Sequence, residues 1–491
     1  MNTPKNTIIR SPHRRGQIAL QVLIFSTVSI IMLTGFILWA ETNIRLVFQD
    51  SDAATSFLIA EAGIEYYRWH LAHDQDDFQD GTGQPGPYVH NYYDKDGILV
   101  GTFTLDITPP AVGSTVVTIR STGHITANPD TEKIVEARMA IPSFAKYAAV
   151  VGNNVRFGEG TELYGPVHSN GGIRMDGVAF NVVTSAMECY DDPDHSGANE
   201  FAVHTHVSPT DPTCSPYPPL PIVPSRSDVF RAGRQFPVAP VDFSGITQDL
   251  AGIKTAAQAS GSYWGPSGDD GYEIIFSTDD TYALYQVNSL VSPPSGCTDY
   301  LGQSGWGTWS VNTRTLQGTY PLPENGLIFI EDNIWVSGRI DEARVTIASG
   351  RFPDNPSTRS SITTNSDLVY TNYDGRDIIS LIAQENINVG MVSENDLRVD
   401  AALMAQNGRV GRYYYRPPSY SSDRCEPYHK RDRMTSYGMI GSYQRYGWAY
   451  TNNTGYEDRI IIYDANLLYA PPPSFPLTAD YYTPISWDEI Q

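Results

Sequence analysis

Charge is missing where it matters most: between Gln17 and Ala40 no residue ionises. Proline is absent from Gln17 through His70. No two of the four cysteines share a CxxC spacing, which argues against a zinc ribbon. There is no Gly-rich phosphate loop, no Gly-x-Ser-x-Gly elbow and no His-Glu-x-x-His. Cations are also scarce, with 33 Lys and Arg against 55 Asp and Glu and a formal net charge of -22. Such a chain lacks the basic surface that nucleic-acid phosphates require, so no nucleic-acid partner is expected. Mutual repulsion and solubility are the simplest consequences of that charge.

The uncharged run is dense in Ile, Leu, Val and Phe and long enough to cross a hydrocarbon core of ~30 Å as a helix. Lys5, Arg10, Arg14 and Arg15 precede it without an acidic neighbour, whereas Glu41, Asp50 and Asp52 follow. The positive-inside bias then places the N-terminus in the cytoplasm and exports the rest, giving a single-pass membrane protein. Beyond the run, Ile44, Val47, Phe48, Ala54, Leu58, Ala62, Tyr66 and Trp69 recur three or four apart. Without proline to stop it, one helix is predicted to continue out of the bilayer over 17–72 with these residues as an apolar stripe.

This stretch resembles the N-terminus of type IV pilins and pseudopilins, and most closely the PilX-like minor pilins. The residues that carry the resemblance are Arg14-Arg15-Gly16 before the apolar run and Ala60-Glu61-Ala62 near the helix end. It implies a leader over 1–16, cut by prepilin peptidase between Gly16 and Gln17, and a helix that packs with other pilins in a filament. Major pilins usually carry Glu five residues into the mature chain; this chain has Gln21 there. An amide accepts a hydrogen bond from a neighbour's ammonium but cannot neutralise it. The resemblance therefore points to a minor or tip subunit, with Gln21 and Glu61 as filament-packing residues and the pilus assembly machinery as partner.

The exported part is rich in Tyr, Gly and Pro, as a β-rich, turn-rich chain would be. Short β-branched runs from Ile98 to Met139 predict a small strand layer over 88–140 that covers the helix. From Tyr147 the pieces shorten and alternate with Gly and Asn turns, as in Asn154-Val155-Arg156-Phe157, Ile334-Trp335-Val336 and Ile387-Asn388-Val389. An irregular parallel β-helix over 147–475 is predicted, with a β-sandwich as the alternative and 476–491 as a tail. The fold class is α+β, mainly β. A Pro-rich insertion leads into a helix, together spanning 207–260, in which Ile246, Leu250, Ile253 and Ala257 share a face and Ser244 is the N-cap. Words such as Gly165-Pro166-Val167-His168-Ser169-Asn170-Gly171 and Ala401-Ala402-Leu403-Met404-Ala405-Gln406-Asn407-Gly408 resemble the exported domains attached to PilX-like anchors.

Four cysteines in an exported chain permit disulfides with three connectivities, of which Cys189 with Cys214 and Cys297 with Cys425 is preferred. His168 and Ser169 are adjacent, but sequence neighbours rarely face each other and no acid is spaced to orient the imidazole, so a solenoid corner is expected. Asn170, Asn386 and Asn407 each follow a small strand and are predicted to stack as an internal amide ladder. His204-Thr205-His206 places two imidazoles on one strand face, half of a metal site, with Asp191, Asp192, Asp194 and Glu200 nearby as a third ligand. An exposed loop without a metal is the expected reading, and Asp191-Asp192-Pro193-Asp194 and Asp374-Gly375-Arg376-Asp377 are expected as solvated turns. Glu331, Asp332, Asp341 and Glu342 are the carboxylates to examine for glycoside hydrolysis. Tyr413, Tyr414, Tyr415, Tyr443, Tyr446, Trp448, Tyr450, Tyr456, Tyr481 and Tyr482 crowd the last quarter among Arg412, Arg416 and Arg445. At a surface they would suit a glycan or protein partner; buried between coils, they would be only packing.

The sequence thus predicts a minor or tip component of a type IV pilus or related secretion filament that initiates assembly or displays an adhesive domain, without enzymatic activity or cofactor. A membrane-tethered β-helix enzyme acting on glycans, or a cell-surface scaffold, are the alternatives.

Overall fold

In the computed structural model, residues 15–110, 114–214, 222–243, 246–468, 470–477 and 481–490 are described. Residues 1–14 of the leader, and the N-cap candidate Ser244, lie outside them. The chain forms two units, one within residues 1–108, 118–138 and 486–491, the other within 109–117 and 139–485.

The first unit is built on a single helix, α1 (Arg15–His73), of 59 residues. At 1.5 Å per residue it is about 88 Å long. Its distal end is fastened by the Asp77 carboxylate, which accepts from Gln79 N and Gly81 N and meets His70 Nε2 at 3.0 Å. Four strands follow, β1 (Tyr88–Tyr93), β2 (Leu99–Thr108), β3 (Val117–Ile125) and β4 (Asn128–Ala140). β1 and β3 flank β2 antiparallel, and the five-stranded sheet is completed beyond β4 by the C-terminal strand Thr483–Ile490. Thr483–Ile490, in the predicted tail, is therefore a strand of the sheet. The chain returns to cover the edge of β4, where Lys133 Nζ meets Glu489 Oε1 at 2.5 Å, and an edge that would otherwise expose unpaired backbone is closed.

Alternation along the strands aims Gly101, Phe103 and Leu105 of β2 and Val117, Ile119, Ser121, Gly123 and Ile125 of β3 inward. The helix answers with Ser56, Ile59, Ala60, Gly63, Ile64, Tyr67 and Leu71, all buried. This is a different face from the predicted apolar stripe, whose Leu58 and Trp69 are 58% and 60% exposed. The reason is steric. A Cβ at Gly63 would sit 2.9 Å from the Phe103 ring, and one at Gly101 would sit 2.7 Å from Ile59 Cδ1, so small residues set the contact.

The second unit is a parallel β-helix, and its parallel pairing excludes the β-sandwich. Along one face, register aligns Ser262, Ile328, Ile347, Leu381, Leu403, Ile440, Ala149, Val167, Val183 and Arg234, one residue per coil. The buried aliphatic members of this stack each contribute about 1.5–3 kcal/mol.

The same ladder shows an order that does not follow the chain. Ala149–Val151 lies between Val167–Ser169 and the end of Lys430–Ser442, so the chain enters the solenoid at an interior coil. It winds from there to Arg234–Gln235, passes through the Pro-rich segment and the helix Ile246–Ser260, and resumes at Ser262–Trp264 at the opposite end. The later coils then return to meet the first. Leu250, Ile253 and Ala257 of that helix are buried against Phe329, Ala348, Ile382 and Met404, as a cover over the flank of the coils. The strands Gly271–Ser277, Thr281–Leu290 and Val311–Pro321 form an antiparallel excursion attached through Ile334–Ile340.

Corners are fixed by side chains reaching the adjacent coil. Asn154 Oδ1 accepts from Gly172 N, Asn333 Oδ1 from Ser361 N and Asn386 Oδ1 from Arg409 N, while Ser169, Ser185 and Ser349 donate to Asn153, Gly171 and Asp332 carbonyls. Asn170, Asn386 and Asn407 do not form the predicted ladder. Asn170 exchanges hydrogen bonds with the Val241 backbone, and Asn407 Nδ2 donates to Gln384 O. Turn backbone, which cannot pair within a strand, takes the amides instead.

Candidate functional site

The proximal part of α1 is apolar, exposed around its whole circumference and continuous with the half that grips the sheet. It is long and apolar enough to cross a membrane, and none of its most apolar stretch is buried. Gln21 is exposed on it and Trp39 lies at its distal limit, followed by the Glu41–Arg45 ion pair at 2.7 Å. Gly16 and Gln17 belong to the first turns of the helix, and Glu61 is half-buried in the distal part. Ile44, Val47, Phe48, Leu58 and Trp69 remain exposed beyond the span. They form an apolar surface that the sheet of the first unit does not use.

The carboxylates examined for glycoside hydrolysis are engaged elsewhere. Glu331 holds Lys254 and the Tyr263 hydroxyl, Asp332 accepts from Ser267 and Arg351, Asp341 accepts from Asn372, and Glu342 meets Arg376. His168 is buried between Thr184 Oγ1 and Asn170 Oδ1, each at 3.0 Å, while the Ser169 hydroxyl bonds the Asn153 carbonyl. Burial pushes the His168 imidazole below its ordinary pKa. Asp377 is buried and accepts from Thr371 N and Asn372 N, so this part of the predicted solvated turn is a structural corner.

The aromatic quarter divides in the same way. Tyr413, Tyr415, Tyr446, Trp448, Tyr456 and Tyr482 are buried, whereas Tyr443 and Tyr481 are exposed. Arg412 is fully buried among them, 4.7 Å from the Tyr415 ring and 5.8 Å from the Tyr456 ring, and donates to the Met391 and Tyr428 carbonyls. The aromatic cluster is thus mostly packing between coils and the segment joined by Cys297–Cys425.

Cys189 is joined to Cys214, and the segment between them carries the predicted histidines. It is not an exposed loop. Val203–His204 pairs with Ile173–Arg174, and Cys189–Tyr190 pairs antiparallel with Glu200–Phe201, which turns His204 and Asp192 inward. Ligand atoms of Asp192, His204 and His206 lie within 4.8 Å of one another, as do those of His195, Glu200 and His206. His204 Nε2 is 3.5 Å from Asp192 Oδ2, and its Nδ1 is 3.1 Å from the Phe201 carbonyl. Arg174 was not singled out by sequence, although its alternation with Asp176 on a short strand is legible. Its Nη1 is 3.4 Å from Asp192 Oδ2 and its Nε donates to Asp176 Oδ2 at 2.7 Å. Despite burial, which acts to raise it, the Asp192 carboxyl is held well below the usual range by His204, the Asp194 N–H and Arg174. Burial lowers His206, reinforced by the charges of Arg174, His204 and His195.

No protein-family model matches the chain, and no curated protein matches it. Among solved structures, the competence-associated pilin ComZ from Thermus thermophilus is similar at 13% identity, over 90% of this chain and 98% of that one, with a TM-score of 0.31. A likeness that loose carries no weight for function.

Proposed function

We propose that this chain is a minor or tip subunit of a type IV pilus or related filament. Prepilin peptidase would remove the leader after Gly16, and the β-helix would be carried to the cell surface as a non-catalytic display domain. The observation that carries the reading is α1 itself, half of it bare apolar helix and half fastened to a sheet by a small-residue face. A tether needs only enough apolar helix to cross the bilayer. Here the rigid helix continues well past the span and keeps Val47, Phe48, Leu58 and Trp69 outward, the arrangement required if neighbouring helices pack along it.

Gln21 fits a subunit at the end of a filament, where no neighbour above presents an ammonium to neutralise. The PilX-like assignment, the cytoplasmic N-terminus and the adhesive role belong to this reading as well. Filaments sheared from cells expressing the chain test it. Co-sedimentation with the filament fraction, lost when Trp69 and Phe48 are changed to Glu, is the expected result. A chain that stays wholly in the membrane fraction would contradict it.

A further inference from the structure

We propose that Asp192, His204 and His206 bind a divalent transition-metal ion of the zinc class. His204 carries the argument. Its side chain is fully buried, and Nδ1 faces the Phe201 carbonyl, which fixes the proton on that nitrogen. The Nε2 lone pair is then directed into the cluster, where Nε2 has no hydrogen-bond partner. It faces Asp192 Oδ2 at 3.5 Å, itself on a side chain 3% exposed. A lone pair facing a carboxylate at 3.5 Å is unfavourable unless a cation lies between them.

A metal-ligating imidazole typically gives its other N–H to a carbonyl or carboxylate, as His204 gives to Phe201. Zinc bonds of about 2.0–2.2 Å hold neighbouring ligand atoms roughly 3.3–3.6 Å apart. The His204–Asp192 separation is already of that size, and a small inward movement of the half-buried His206 completes a triad. The His195 Nδ1 and Glu200 Oε1 pair, 3.5 Å apart, borders the same His206 from the outer side.

The surrounding charges are compatible with a cation. Arg156, Arg174 and Arg445 are outnumbered by Asp176, Asp192, Asp194 and Glu200: Asp176 holds Arg156 at 3.0 Å and shares Arg174 with Asp192, and Arg445 is paired with Asp194. Two imidazoles with one carboxylate select zinc-class ions over calcium or magnesium, which prefer all-oxygen sets. Every ligand lies inside the segment closed by Cys189–Cys214, whose regular structure is limited to two-residue strand pairs. The ion would cross-link that segment internally, joining the turn at Asp192 to the strand Val203–His204 and to His206. The competing explanation is a proton on His204 Nε2, the form in which His204 would hold the Asp192 carboxyl low as described above.

The full chain in detergent, stripped with EDTA, dialysed against zinc chloride and passed through gel filtration, separates the two. Zinc measured by mass spectrometry should reach about one ion per chain. Asp192→Asn and His206→Gln should each weaken binding at least tenfold. Without metal, His206→Gln should melt like the wild type and Asp192→Asn, which also loses its charge pair with Arg174, should melt lower; zinc should raise the melting temperature of the wild type only. Clearly substoichiometric zinc, or retention by both variants equal to wild type, would overturn the proposal and leave the proton. Loss in His195→Gln with retention in Asp192→Asn would overturn the assigned ligands. His206→Gln, at the more accessible ligand, keeps the test decisive if the buried Asp192 variant does not fold.

Discussion

Gly123 is where the helix and sheet of the first unit come closest, and replacing it with Ala tests how that unit is held. A Cβ there would stand 2.6 Å from Ala60 N and closer still to Ser56 O, both backbone atoms of α1. An ordinary contact is ~3.5 Å and the closest, to Ser56 O, would be 2.1 Å, so the helix must retreat by about 1.4 Å. A gap of that size forfeits about half or more of the dispersion attraction of the atoms it separates, here Ile59, Ala60, Ile64 and Tyr67 against Phe103, Leu105, Ile119 and Ile125. Overpacking of this kind costs about 1–3 kcal/mol, and backbone on both sides places Gly123→Ala near ~2 kcal/mol. That corresponds to roughly thirtyfold faster opening.

Hydrogen exchange read by mass spectrometry over residues 56–71, on the chain in detergent, measures it directly. The comparison is Gly252→Ala, in the helix Ile246–Ser260, where a Cβ meets nothing within 4 Å. That change should stabilise its own helix by about 0.5–1 kcal/mol and leave residues 56–71 unchanged. Gly123→Ala exchanging at the wild-type rate would refute the account of the helix–sheet contact.

Further outcomes follow from the second unit. Burial raises the Asp400 carboxyl above the ordinary range, against the opposing pull of Tyr373, Arg398 and the Tyr370 N–H. A raised folded value means that the folded chain binds the proton more tightly. This contribution is full below about pH 3.9 and is lost as the pH rises through the raised value. The melting temperature of wild type relative to Asp400→Asn should therefore fall with increasing pH across that window; a pH-independent difference would count against it. Arg412→Lys should cost about 1–3 kcal/mol in denaturant unfolding, because one ammonium cannot serve both the Met391 and Tyr428 carbonyls from the same buried position. Arg416→Lys, at a half-buried guanidinium over the Tyr300 ring, should change stability by less than about 0.5 kcal/mol.

The parts of the fold that were legible are those set by local pattern. An uncharged, proline-free run specifies α1, short β-branched pieces between Gly and Asn turns specify a parallel β-helix, and the spacing of Leu250, Ile253 and Ala257 specifies the covering helix. What stayed hidden depends on partners far away in sequence. Strand periodicity does not encode which coil lies beside Ala149–Val151, so entry into the interior of the solenoid could not be read. Hydrophobicity ranks Leu58 and Trp69 above Gly63 and Ala60, yet close approach to the sheet selects the small residues. Counting Tyr does not say which side of a coil each ring occupies. The spacing of His204 and His206 was visible, but the pairing with Ile173–Arg174 that buries His204 was not.

The reading of α1 as a pilin helix is tested most directly at its start. Mass spectrometry of the N-terminal peptide from native membranes, comparing wild type with Gly16→Val, reports whether the leader is removed. The account predicts a wild-type peptide that begins at Gln17, and an uncut leader in the variant. An intact leader in the wild type would contradict it, leaving α1 as a membrane tether for the β-helix and nothing more.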